Sequence, residues 1–168
     1  MKPVHVVVMG VAGCGKSAAG ARIARSLRLP LIEGDAFHPP ANIEKMRTGV
    51  ALTDDDRAGW LDRLAQELAA RPAGAVLTCS ALKQAYRERL RRAAPALRFV
   101  HLALPAAEAQ RRVATRPGHF YPPSLVASQF EALEDPAGEA GVVVVDACLP
   151  LEEVAARACA ALLAFNNP

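Results

Sequence analysis

An apolar, β-branched run, Val4 to Met9, leads straight into Gly10-Val11-Ala12-Gly13-Cys14-Gly15-Lys16-Ser17, and a helix-forming Ala/Arg segment, Ala18 to Leu27, follows. The spacing is G-x-x-x-x-G-K-S, the phosphate-binding P-loop, in its required setting of strand, loop and helix. Glycines let successive backbone N–H groups turn inward around a phosphate. The helix N-terminus adds its partial positive charge. The lysine of such a loop reaches the β- and γ-phosphates, and the serine hydroxyl can ligate Mg²⁺. Gly10, Ala12, Gly13, Cys14, Gly15, Lys16, Ser17 and Ala18 are therefore the candidate phosphate-binding set, with Ser17 a candidate metal ligand.

The rest of the chain narrows the class. A length of 168 residues, 52% of them hydrophobic, predicts one globular domain over 1–168. No apolar run reaches the length of a membrane span, and Val4 to Val8 turns directly into the P-loop, so it reads as a first strand and not a signal peptide. Cys14, Cys79, Cys148 and Cys159 are scattered, which predicts reduced cytoplasmic thiols and no zinc site. The net charge of +3 is a weak pointer to nucleic acid, because aromatics for stacking make up only 5% of the chain. Within the basic stretch Arg87 to Arg92, Arg89, Arg91 and Arg92 read mainly as a solvated helix face.

Strand and helix alternate throughout. Strands are predicted at 4–9, 29–32, 75–79, 98–104 and 142–145, and helices at 18–27, 54–70, 81–93, 106–115, 124–133 and 151–165. Trp60, Leu61, Leu64 and Leu68 have helical spacing, Thr53 is a plausible N-cap, and Asp54, Asp55 and Asp56 suit the first turn. Apolar strands separated by helices predict an α/β fold, a five-stranded parallel sheet covered on both faces, with its ligand at the carboxyl ends of the strands.

Polar residues gather at those ends. The second strand runs into Glu33-Gly34-Asp35 and His38, and the third into Cys79-Ser80-Ala81-Leu82-Lys83. In an extended segment, Glu33 and Asp35 point to one face. One can assist Mg²⁺ and the other can accept a proton from a substrate hydroxyl. Lys83 and Arg87 share a helical face and, with Ser80, can grip a carboxylate or a polyol. Arg112 and Arg116 share another face, just before Pro117-Gly118-His119-Phe120, and this reads as an arginine-bearing lid over about 112–123.

The segments GVAGCGKS (10–17), EGDAFHPPANIEKMRTGVALTDDDRAGWL (33–61), CSALKQAYRERLR (79–91), RPGHFYPPSLVASQFEALEDP (116–136) and VVDACLPLEEV (144–154) resemble the bacterial gluconokinase family, relatives of shikimate kinase and nucleoside monophosphate kinases. The likeness spans nearly the whole chain, and the segments beyond the P-loop are its most specific part. It implies the three-layer P-loop kinase fold, ATP and Mg²⁺ as cofactors, and phosphorylation of D-gluconate at its 6-hydroxyl by a cytoplasmic homodimer. Glu33 stands where the family pattern has Asp, and Ala51 and Gly59 where it has Pro.

The resemblance also implies roles. Lys16, Asp35 and Arg116 are the catalytic candidates, with Asp35 orienting or deprotonating the 6-hydroxyl. Arg112 would stack on adenine, Arg116 would reach the phosphates, and Asp146 to Leu151 would flank the base. His38, Arg57, Ser80, Lys83, Arg87 and Gln129 lie on the substrate side, within or beyond a segment at about 35–60, and the carboxylate is left to Arg57, Lys83 or Arg87. Glu33 is the second metal candidate. Two other readings stay open: another small-molecule kinase, and a P-loop regulator or nucleic-acid-stimulated ATPase. The latter would need a strand ending in a Walker-B-type Asp, where the third strand ends in Cys79-Ser80.

Overall fold

A computed structural model describes residues 3–117 and 121–165. Among the described residues, five strands form one parallel sheet: β1 (Val4–Met9), β2 (Leu31–Glu33), β3 (Gly74–Thr78), β4 (Arg98–Ala103) and β5 (Val142–Asp146), in the order β2-β3-β1-β4-β5. The helices are α1 (Lys16–Leu27), α2 (Pro40–Arg47), α3 (Asp54–Ala69), α4 (Gln84–Ala93), α5 (Ala106–Thr115), α6 (Val126–Ala132) and α7 (Leu151–Ala164).

The two-residue period of β1 divides the interior. Val6 and Val8 join Ile23 of α1 and Ala158 of α7, whereas Val7 and Met9 join Leu64 and Leu68 of α3 and Leu90 of α4. The sheet thus carries helices on both faces. From β1 the chain crosses to the β2 side, and after β3 it crosses to the β4 side. The carboxyl end of β1 is therefore the switch point, where open parallel sheets bind ligands.

Local chemistry explains most element boundaries. At the start of α3, the Thr53 hydroxyl accepts from the Asp56 amide at 3.1 Å and the Asp56 carboxylate accepts from the Thr53 amide at 2.9 Å, a reciprocal cap. The second strand begins two residues later than its apolar pattern predicts and includes Glu33. Arg28 ends α1 in the left-handed conformation (φ 56°), and Pro30 has no N–H for a ladder. The helix expected from Ala81 starts at Gln84, because Ala81 takes φ 47° and Lys83 is the extended N-cap. A 3₁₀ turn, Pro123–Leu125, occupies the first turn expected of α6. The apolar run Val142 to Val145 lies in β5, an edge strand with Val144 49% exposed, and is not covered on both faces as its composition predicts.

Gly59 lies on the exposed side of α3, and a methyl group there would meet nothing within 4 Å. Gly59→Ala should stabilise the protein by about 0.5–1 kcal/mol, by restricting the unfolded chain. Thermal unfolding should show Tm higher by about 1–4 °C. A fall in Tm would mean that the position is constrained by more than helix propensity.

Candidate active site

The loop between β1 and α1 is folded by its glycines. Gly13 (φ 84°) and Gly15 (φ 92°) occupy left-handed backbone, and Gly15 is the N-cap of α1. Beside the loop, Gly34 opens a 3₁₀ turn, Gly34–Phe37, pressed so close to β3 that a Cβ would lie 2.0 Å from the Thr78 carbonyl oxygen. That contact brings Asp35 and His38 up to the P-loop. Together they wall a cavity of about 350 Å³ at the carboxyl ends of the strands.

Ala12, Gly13, Gly15, Lys16, Ser17 and Ala18 line one side of this cavity. Asp35, His38, Arg57, Ser80 and Gln129 also line the cavity, and Arg112 and Arg116 approach from α5 and its C-terminal end. The Lys16 ammonium donates to the Gly10 and Val11 carbonyls at 3.0 and 3.1 Å, so it is held over its own loop. Ser17 Oγ donates to Glu33 Oε2 at 3.0 Å, and Thr78 Oγ1 donates to the same oxygen at 2.8 Å. A serine whose proton goes to a carboxylate keeps its lone pairs for a cation, so this pair suits Mg²⁺ held beside bound phosphates. No group of three or more His, Cys, Asp or Glu side chains that could hold a metal ion exists among the described residues.

Arg57 is 7% exposed, and its Nη1 donates to the Tyr86 hydroxyl at 3.3 Å. That hydroxyl donates in turn to Asp54 Oδ1, which also accepts from Lys83 Nζ at 2.8 Å. Hydrogen bonds from Lys83 and Tyr86 hold the Asp54 carboxyl below its usual range. Arg112 Nε donates to Glu108 of its own helix at 2.9 Å, Nη2 to the Ala147 carbonyl at 2.9 Å and Nη1 to the Gly13 carbonyl at 3.4 Å, which fixes the guanidinium between the P-loop and the loop after β5. Hydrogen bonds from Arg111 and Arg112 lower the Glu108 carboxyl to about 2. The Gln129 side-chain oxygen accepts from the Ala12 amide at 3.2 Å, tying α6 to the P-loop. Burial pushes the Tyr121 hydroxyl, also in the cavity wall, up to about 12.

A family model described as an AAA domain matches residues 6–139. The gluconokinase of Gluconobacter oxydans is 48% identical over 86% of this chain and 83% of its own length. The chain belongs to the gluconokinase family. Thermoresistant gluconokinase of Escherichia coli is 42% identical over 89% of this chain and 88% of its own. The crystal structure of a gluconokinase from Sinorhizobium meliloti superposes with a TM-score of 0.90 at 46% identity, covering 99% of both chains. The fold and the P-loop are those of a gluconokinase-type kinase.

Against that family frame, several residues picked from sequence lie outside the cavity wall. Arg87 is 0% exposed. It donates to the Ala81, Leu82 and Glu134 carbonyls at 2.7, 3.1 and 3.0 Å and pairs with Glu139 at 2.6 Å. The helical face it was expected to share with Lys83 does not exist, because Lys83 precedes the helix and is engaged by Asp54. Of the three candidates for a carboxylate, Arg57 is the one in the cavity wall. Gly10 and Cys14 support the loop from behind. The Gly10 amide donates to the Ser80 carbonyl at 3.3 Å, the Cys14 amide donates to the Val11 carbonyl at 3.2 Å, and Cys14 is 3% exposed. Glu33 stands behind Ser17. Gly118, His119 and Phe120, the centre of the expected lid, lie outside the described residues.

Three site residues escaped sequence reasoning. Trp60 reads in the sequence only as one of a helically spaced apolar set, yet it stacks on His38 with ring centroids 4.1 Å apart and an interplanar angle of 15°. Thr78 is the polar end of an otherwise apolar strand, and that signal could have marked it. Asn42 of α2 is 3% exposed where its side chain meets the Asp56 carbonyl of α3, in a segment with weak periodicity.

Proposed function

We propose that this chain transfers the γ-phosphoryl group of ATP to the 6-hydroxyl of D-gluconate, giving 6-phospho-D-gluconate and ADP. The observation that carries this reading is the pairing, in one cavity, of a phosphate loop with an acceptor wall of Asp35, His38 and Arg57 in a gluconokinase-family chain. Asp35 accepts the hydroxyl proton as the O6–P bond forms and the bond from phosphorus to the ADP oxygen breaks. Such transfer is mostly positioning and charge stabilisation, so the base need not be strong. Lys16 and Arg116 neutralise charge on the transferring group. Arg57, braced by Tyr86, holds the gluconate carboxylate in a bidentate grip. Ser17, with Glu33 behind it, would hold Mg²⁺, which neutralises phosphate charge when bound. Arg112 and the loop after β5 face the adenine end.

The proposal includes a homodimer, for which the exposed Val144 on edge strand β5 is an apolar surface a second copy can cover. It also includes a cytoplasmic site of action, consistent with four free cysteines. The test is ADP release by purified protein with Mg²⁺ and ATP over a panel of gluconate, shikimate and nucleoside monophosphates. Gluconate should raise the rate well above the acceptor-free background. Turnover with another acceptor alone would sink the assignment. Turnover that depended on DNA, RNA or a protein would favour a regulatory ATPase.

A further inference from the structure

Asn42 has one amide, and its surroundings fix which way it faces. Its Nδ2 lies 2.9 Å from the backbone carbonyl oxygen of Asp56. A carbonyl oxygen only accepts, so the atom facing it must be the NH₂ group. The same Nδ2 lies 3.3 Å from His38 Nδ1. An NH₂ group only donates, so Nδ1 must accept and the imidazole proton must sit on Nε2. Nε2 is 3.9 Å from Asp35 Oδ1, too far for a good direct hydrogen bond. An oxygen seated between the two can accept from Nε2–H and donate to the carboxylate.

We infer that Asn42 is a positioning residue that locks His38 as the Nε2–H tautomer, so that His38 presents a fixed donor beside Asp35 to one hydroxyl of the phosphoryl acceptor. The inference rests on the reading that the acceptor is a polyol taken at Asp35. The ring has little freedom to do otherwise. Its side chain is 5% exposed and stacked on Trp60, whose Nε1 donates to the Gly34 carbonyl at 2.8 Å. Burial lowers the His38 pKa to about 4, outweighing the opposing pull of Asp35, with Arg57 adding to the fall. The ring is therefore neutral at neutral pH, and a neutral ring has one proton to place. Asn42 decides where.

The experiment has two arms. Imidazole ¹⁵N shifts of ligand-free protein should show His38 protonated at Nε2. Asn42→Asp reverses the polarity of the partner, since a carboxylate accepts only, and should move the proton to Nδ1. A parent protein protonated at Nδ1 overturns the inference whatever the acceptor is. The second arm compares His38→Gln with His38→Asn, neither of which touches Asn42. The glutamine amide can place an N–H near Nε2, and the asparagine amide near Nδ1, while both lose the ring stack on Trp60. Both variants lose activity with the ring stack, but kcat/KM for gluconate should fall about tenfold further in His38→Asn than in His38→Gln, the size of one hydrogen bond. Equal losses in both variants would overturn the donor role. Absence of gluconate-dependent turnover in the parent would sink the acceptor reading, leaving the ¹⁵N shifts to judge the tautomer separately.

Discussion

Lys16→Ala lowers kcat by about 100-fold or more, the usual cost of removing one donor aimed at charge that develops in the transition state. The ammonium already sits over the P-loop, 3.0 and 3.1 Å from two of its carbonyls. Moving from those carbonyls to phosphate oxygens costs it little reorganisation. The fold is expected to persist, because the lysine contributes a charge at a cavity wall and no part of the sheet core. Steady-state kinetics with gluconate, together with an unchanged thermal unfolding curve, would check both halves. A variant with near-normal kcat would remove the loop lysine from the mechanism.

Arg87→Leu should cost stability and spare the site. The arginine is enclosed, and it supplies donors to three backbone carbonyls as well as to Glu139. Removing one member of a buried pair costs about 3–5 kcal/mol, because the partners stay buried without it. Arg91 also reaches Glu139, at 3.1 Å, which keeps the expected loss near about 3 kcal/mol, the lower end of that range. For a domain of this length the fall in Tm should be about 6–12 °C. Below the unfolding range, KM for gluconate should match the parent. A raised KM with normal Tm would return Arg87 to the acceptor side.

That contrast shows where the sequence was readable. The P-loop was legible because its glycines, lysine and serine answer to a local geometry that few other sequences satisfy. The strands were legible because parallel strands in a covered sheet are continuous apolar runs. Arg87 was misread because spacing reports a shared face only inside a helix, and Ala81 at φ 47° delays the helix past Lys83. Whether a charged side chain faces ligand or carbonyls depends on a partner such as Glu139, fifty-two positions away, which no local pattern encodes. Trp60 and Asn42 escaped for a related reason. Each is buried like a core residue, and its role comes from contact with the His38 ring, which for Trp60 is twenty-two positions away in the chain.

Trp60 is the chain's single tryptophan, and it forms part of the wall of the cavity. Its indole is stacked on His38 and anchored to the Gly34 carbonyl. Light absorbed at the red edge of the near-ultraviolet is therefore emitted from one place in the molecule. A protonated imidazole quenches indole emission and a neutral one largely does not, so the emission of this one residue should stay bright at neutral pH and fall as the pH drops through about 4, where His38 takes up its second proton.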